Sequence, residues 1–238
     1  MTLMLHAGAQ EMNLAALRNL PTPDGTMSHV PIAHIDVVDM VKYSLGFYGH
    51  EIVDENYGVT PDGDRFFGLL SLKSSYGDYT DTVGLRNSHD KKFPIGISFG
   101  SKVFVCDNLA FAGDQVIKRR HTANAKRDLP GLVAQVVEPL RLARQNQNKI
   151  IQLYHKTELN DRWADHIIME LYRKGVINVQ RIAQVAQQWE EPDHNWGGKT
   201  AWRLFNAATF ALNGRVAENP TVTRDLHNVI DGACEEVR

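Results

Sequence analysis

Ten residues in the middle of the chain, Lys118 to Arg127 (KRRHTANAKR), concentrate the groups best suited to hold an anion. Each of the five cations, at 118, 119, 120, 126 and 127, can neutralise one backbone phosphate. The counterions released drive such binding without sequence preference. His121 extends the cationic run Lys118-Arg119-Arg120, and Thr122, Asn124 and the helix N-terminus at Asp128 add donors nearby. Arg86, Lys91, Lys92 and Lys102 precede it and are expected to line the same side. Phe93 and Phe104 are the aromatic candidates for stacking on bases, because Phe99 falls in phase with the buried face of its strand. The expected nucleic-acid contacts are thus Lys118, Arg119, Arg120, His121, Lys126 and Arg127, supported by Arg86, Lys91, Lys92 and Lys102.

The charge distribution points to the same place. The chain has 238 residues and a net charge of −2. Residues 1–85 hold 4 Lys and Arg against 11 Asp and Glu, residues 86–149 hold 12 against 5, and residues 150–238 hold 10 against 12. A basic middle in a near-neutral protein implies either an anionic partner or neutralisation by the acidic third within the fold. The size allows one large domain or two small ones. No apolar run approaches the length of a membrane span, so no membrane partner is expected. Two cysteines, Cys106 and Cys234, and no secretory signal at the start imply reduced thiols in a cytoplasm.

Other candidate chemistry is weaker. Gly197-Gly198-Lys199-Thr200 carries the end of a phosphate loop, but the loop needs glycine at Asp193 and a preceding buried strand. Thr200 reads instead as the N-cap of the next helix. His89, His121, His155, His166 and His194 show no zinc spacing, and neither cysteine has a CxxC partner, so no metal and no cofactor is assigned. Cys106 reads as a small core hydrophobe at a strand end. Glu170–Val185 has the length of a helix-turn-helix, yet Arg181 is the one cation on its second helix, and two packed core helices fit better. No catalytic residue is assigned.

These residues must be carried by a sheet and the helices on it. Residues 1–30 read as an N-terminal arm with a short helix at Leu14–Leu20. Asp36 is the expected N-cap of a helix to about residue 47, striped by Val37, Val38, Val41 and Leu45, with Gly49 past its end. Strands follow at 51–59, 65–72 and 82–88, the first two joined by a turn at Thr60–Asp64. A further strand through Ile95, Ile97 and Phe99 is expected to turn at Gly100-Ser101 into a returning strand, Lys102–Cys106. Helix is expected over 108–119. A long helix capped by Asp128 should then be kinked or split by Pro139. Helices at about 158–174, 179–189, 200–213 and 224–236, the last capped by Thr223, complete the chain. The fold class is α+β: an antiparallel meander of about five strands with a long helix packed on it, then a helical C-terminal half. The organisation expected is an arm (1–30), a sheet domain with its basic connector (31–150) and a helical region (151–238).

The run RNSHDKKFPIGISFGSKVFVCDN, the later KRRHT and the still later KTAWRLFNAATFAL resemble the phage- and plasmid-encoded DUF932 family, a domain of unknown function. The matching elements are Arg86–Asp90, Val105–Asn108, His121-Thr122 and Thr200–Ala207, with Leu109 standing where the family pattern has glycine. The resemblance implies a mobile-element origin and brings no catalytic residue. The order of helix, meander and long helix is also similar, at the level of fold alone, to phage single-strand annealing proteins of the Red-beta and RecT kind. The expectation is a homo-oligomeric phage or plasmid protein that binds single-stranded DNA in a basic groove and promotes annealing. One alternative is a module that binds a host-defence protein through an acidic, DNA-mimicking surface. Another is a metal-dependent hydrolase or nuclease built from converging histidines and aspartates.

Overall fold

Alternating hydrophobics and the Pro-Asp-Gly turn do build a meander. A computed structural model describes residues 8–74, 79–103, 109–212 and 222–237, without the side chains at 101–103 and 109–116. It is α+β, with a six-stranded antiparallel sheet and a helical C-terminal half. The chain divides into two compact units: Met1–Asp107 with Asp114–Arg141, and Asn108–Gly113 with Leu142–Arg238.

The first unit opens with β1 (Gln10–Glu11) and α1 (Leu14–Arg18), followed by α2 (His34–Phe47). Strands β2 (Ile52–Val59), β3 (Arg65–Leu72), β4 (Tyr79–Ser88), β5 (Ile95–Val103) and β6 (Leu109–Arg119, of which this unit holds the part from Asp114) come next, and α3 (Ala125–Val137) after them. The sheet order is strictly sequential, β1 to β6. Val37, Val38, Val41 and Leu45 are fully buried, α2 packs on β4, and α3 packs on α2. Burying each such side chain contributes roughly 1.5–3 kcal/mol, which makes this stripe the main hold of the helix on the sheet. All ten residues of β4 are buried, so both faces of the sheet are covered there. Register puts Leu85 opposite Gly68 and Ile97, and Val83 opposite Leu70 and Phe99, on the face shared with α2. On the other face Gly84 meets Ser98 and Leu69, and Thr82 meets Gly100 and Ser71.

The second unit holds α4 (Leu140–Lys156) from Leu142 on, α5 (Asp161–Arg173), α6 (Val179–Glu190), α7 (Ala201–Leu212) and α8 (Val222–Glu236). Asn160 caps α5 by accepting the Trp163 amide at 3.0 Å, and Gly175, at φ +72°, ends the turn after it. Helix α6 packs on both α5 and α7, and α8 on both α5 and α7. Trp189, Trp202 and Phe205 are buried at their centre. Pro139 does fall between α3 and α4, where its ring and missing amide interrupt the helical hydrogen bonding, although Pro130 is accommodated inside α3. No helix among the described residues is long and apolar enough to cross a membrane.

Five expectations are corrected. Residues 109–119 form strand β6, not helix: Phe111, Val116, Ile117 and a mid-run glycine are weak helix formers, and a sheet edge was available to pair them. Gly100-Ser101 does not turn. Strand β4 begins at Tyr79, earlier than the alternation suggested, so Gly100 pairs with Thr82, Ser101 with Asp81 and Val103 with Tyr79. Asp36 is in the first turn of α2 rather than at its cap, which is Ala33, and Asp128 is in the first turn of α3 rather than before it. Helix α8 starts at Val222, so Thr223 is inside it. Phe104, Cys106 and the element Val105–Asn108 lie outside the described residues.

Candidate functional site

Antiparallel pairing brings three connections to one end of the sheet: the β2–β3 turn, the β4–β5 turn at residues 89–94, and the exit of β6 at Arg120. The Arg86–Asp90 run supplies most of the supporting contacts here. The Asp90 carboxylate accepts the Ser88 hydroxyl, accepts the Lys92 amide at 3.0 Å and pairs with Arg65 Nε at 2.7 Å. Burial opposes its ionisation, but these donors hold it below the ordinary carboxylate range. The tight turn leaves Lys91 at φ +66°, the left-handed conformation that favours glycine. Arg86 points to the sheet face away from α2, where it is 8% exposed and its guanidinium carbon is 5.0 Å from the centre of the Phe93 ring. It fits because residue 96 is glycine: a Cβ there would come within 2.7 Å of Arg86 Nε.

On the α2 side four histidines gather. The His34 and His89 rings stack 4.0 Å apart and nearly parallel; His121 is 6.2 Å from His89, and His29 is 5.2 Å from His121. Their partners fix where each proton sits. The Ile32 amide donates to His121 Nδ1 at 3.0 Å, so neutral His121 carries its proton on Nε2. His89 Nε2 donates to the Ile32 carbonyl at 2.9 Å, beside Asn87 Nδ2 at 2.8 Å. His34 Nδ1 accepts from Asn87 Nδ2 at 2.9 Å while its Nε2 donates to the Gly63 carbonyl at 3.0 Å. His29 Nε2 donates to the His89 carbonyl at 3.0 Å. Burial first, and then the neighbouring rings, pull His34 and His121 down to about 4. His89 is also lowered, chiefly by burial. Two buried ring nitrogens, His89 Nδ1 and His121 Nε2, have no hydrogen-bond partner among the described residues. The Val30 backbone opposes the shift at His121 without reaching hydrogen-bond geometry to Nε2.

In front of His29 and His121 lies a cleft of about 540 Å³. Ser28, Thr122, Lys91, Lys92, Phe93, Pro94 and Arg120 form the rest of its lining. A second cleft of about 250 Å³ lies beside His89, lined by Leu20–Pro23 and the acidic pair Asp62 and Asp64. The histidines therefore stand between a basic cleft and an acidic one.

The expected contact residues fall into separate groups. Lys91, Lys92, Arg120 and His121 converge on the larger cleft, with Thr122. Arg86 supports it from beneath Phe93. Arg119 is engaged by Asp128 at 2.7 Å, Arg127 by the same carboxylate at 3.0 Å, and Lys126 by Asp36 at 3.0 Å. Lys118 is exposed at the end of β6, and Lys102 lies on β5 opposite Thr80, its side chain outside the described residues. Ser28 and His29, assigned to an arm, form a wall of the cleft, and His34 joins the cluster from the helix. The signal that could have found them is the pair of histidines flanking Ile32, His29 and His34, which the sequence reading passed over. His155, His166 and His194 lie in the second unit, each against a tryptophan. Among the described residues no group of three or more His, Cys, Asp or Glu could hold a metal ion. Thr200 accepts the Arg203 amide at 3.4 Å, as a cap for α7 does.

Chemically, the cleft gathers cations and neutral hydrogen-bond donors. Lys91, Lys92 and Arg120 have no carboxylate partner among the described residues, and His121 can only donate. Fold and cleft together define a class: an α+β protein with an uncompensated cationic cleft at one end of an antiparallel meander. The family model described as Domain of unknown function (DUF932) matches residues 28–228, and the chain belongs to that family. The matched span includes every residue of the cleft. No curated protein and no solved structure matches the chain.

Proposed function

We propose that the protein binds single-stranded DNA through the larger cleft, with backbone phosphate held by Lys91, Lys92 and Arg120 and a base resting against Phe93. The observation that carries this reading is the meeting of three unpaired cations with an aromatic ring in one cleft of ligand size. Unpaired like charges repel one another, so a fold that gathers them is better satisfied with an anion present. Arg86 behind the Phe93 ring holds it in place and leaves its outer part for stacking.

The test is fluorescence anisotropy with a labelled single-stranded oligonucleotide at two salt concentrations, with size exclusion on the same preparation to read oligomeric state. The Lys92→Glu/Arg120→Glu variant is expected to weaken binding alike for all sequences. It should also flatten the plot of log affinity against log salt by roughly 0.7 for each lost phosphate contact. Unchanged affinity in that variant would remove the cleft from the binding surface.

A further inference from the structure

The cleft offers more donors than an internal phosphodiester can use. A diester within a strand presents one negative charge and two unesterified oxygens. Lys91, Lys92 and Arg120 bring three cations, Ser28 and Thr122 bring two hydroxyls, and His121 brings a ring N–H. His121 is 4% exposed, and its Nδ1 is occupied by the Ile32 amide, so Nε2 is fixed as a donor with no hydrogen-bond acceptor among the described residues. A buried donor left unmatched is costly, and an acceptor oxygen brought by a ligand would satisfy it. The volume suits about one nucleotide rather than a run of them.

We propose that the cleft is a chain-end site: it holds the terminal phosphate of a strand, a phosphomonoester, with His121 Nε2 donating to one of its oxygens. This rests on the reading of the cleft as the strand-binding surface. A phosphomonoester supplies three terminal oxygens and roughly −1.5 to −2 charges, which matches the surplus of donors. Ser28 comes from a segment pinned at both sides of the cleft, through His29 Nε2 to the His89 carbonyl and through the Val30 amide to the His121 carbonyl at 3.3 Å. The lining is thereby held ready for its ligand, which lowers the ordering cost on binding.

The experiment uses the full chain and four internally labelled oligonucleotides of one sequence: 5′-phosphorylated, 3′-phosphorylated, with hydroxyls at both ends, and covalently closed. One of the two phosphorylated strands is expected to bind about tenfold tighter than the unphosphorylated one, the worth of a charge-assisted hydrogen bond. The closed circle should bind most weakly. In His121→Asn the amide oxygen can still accept from Ile32, but nothing reaches where Nε2 was, so the ratio of phosphorylated to unphosphorylated affinity should fall toward one. Thr122→Val should shift the same ratio in the same direction, and a thermal melt of each variant confirms folding. A circle that binds as tightly as the phosphorylated strands overturns the chain-end site and leaves strand binding intact. If none of the four binds at low salt, the strand-binding reading fails as well.

Discussion

His121 and His227 are both buried and both pulled down to about 4, chiefly by burial, yet their surroundings differ in kind. His227, in the second unit, is fully satisfied: Nδ1 lies 2.9 Å from the Tyr154 hydroxyl and Nε2 3.3 Å from the Gln147 amide. The Tyr154 hydroxyl in turn donates to Asp231 at 2.7 Å. The ring also packs on Phe205, with centres 4.7 Å apart. His121 uses one nitrogen to hold Ile32 and leaves the other, also buried, without a partner among the described residues at the wall of a cleft. Burial and a lowered pKa alone therefore do not mark a functional histidine. The unmatched nitrogen and the cleft next to it do.

The largest expected effect tests the closed side of that comparison. His227→Ala removes a buried ring and strands Tyr154 and Gln147, and should cost about 3–5 kcal/mol, read as a drop in the urea midpoint. His121→Asn, which keeps an acceptor for Ile32, should cost about 1 kcal/mol. Equal losses from the two would mean that His121 is as structural as His227.

Acid should act on both sites together. His34, His121 and His227 each sit near 4 in the folded protein against 6.5 in the unfolded chain. A lowered folded value means that the unfolded state binds the proton first as pH falls. The stability is fully present above about pH 6.5 and is lost on the way down to 4, at about 1.4 kcal/mol per pH unit for each histidine. A melting temperature that stays level from pH 7 to 4.5 would contradict the buried, neutral assignment of these rings.

The basic run divides in the same way, and here the sequence reaches its limit. Arg119 and Arg120 are adjacent and chemically identical, and nothing in their spacing separates them. One is engaged by Asp128 and the other lines the cleft. Lys126 is engaged by Asp36, ninety positions earlier, a contact that only the tertiary fold creates. Arg119→Gln is expected to cost about 1 kcal/mol, since its ion pair is only partly shielded, and to leave strand affinity near that of the parent. Arg120→Gln should do the reverse. Local patterns were legible where local forces decide: the stripe of α2, the Thr60–Asp64 turn, the break at Pro139. The Arg86–Asp90 turn and the His121-Thr122 pair were visible as motifs, but their meeting at one end of the sheet depends on the strand order. Strand β6 was misread because an eleven-residue run with weak propensity takes the structure its neighbours offer, and the neighbour was an open sheet edge. His29 and His34 were missed because their partners are the backbone carbonyls of His89 and Gly63, distant in the sequence, which no side-chain pattern announces.

The smallest effect concerns Lys91, which contributes to the cleft at a conformational cost. Its φ of +66° is imposed by the Asp90 carboxylate, which binds the amide of Lys92 and the hydroxyl of Ser88 on either side. A non-glycine residue held there carries about 1 kcal/mol of strain, while glycine would relax it but lose more entropy on folding. The two nearly cancel, so Lys91→Gly should raise stability by no more than about 0.5 kcal/mol. The same change removes one of three unpaired cations, and strand affinity should fall with a shallower salt dependence. A protein made slightly more stable and distinctly poorer at binding would show that the strain at Lys91 serves the cleft. Stability lost without loss of binding would instead place Lys91 with Arg119, among the cations that hold the fold.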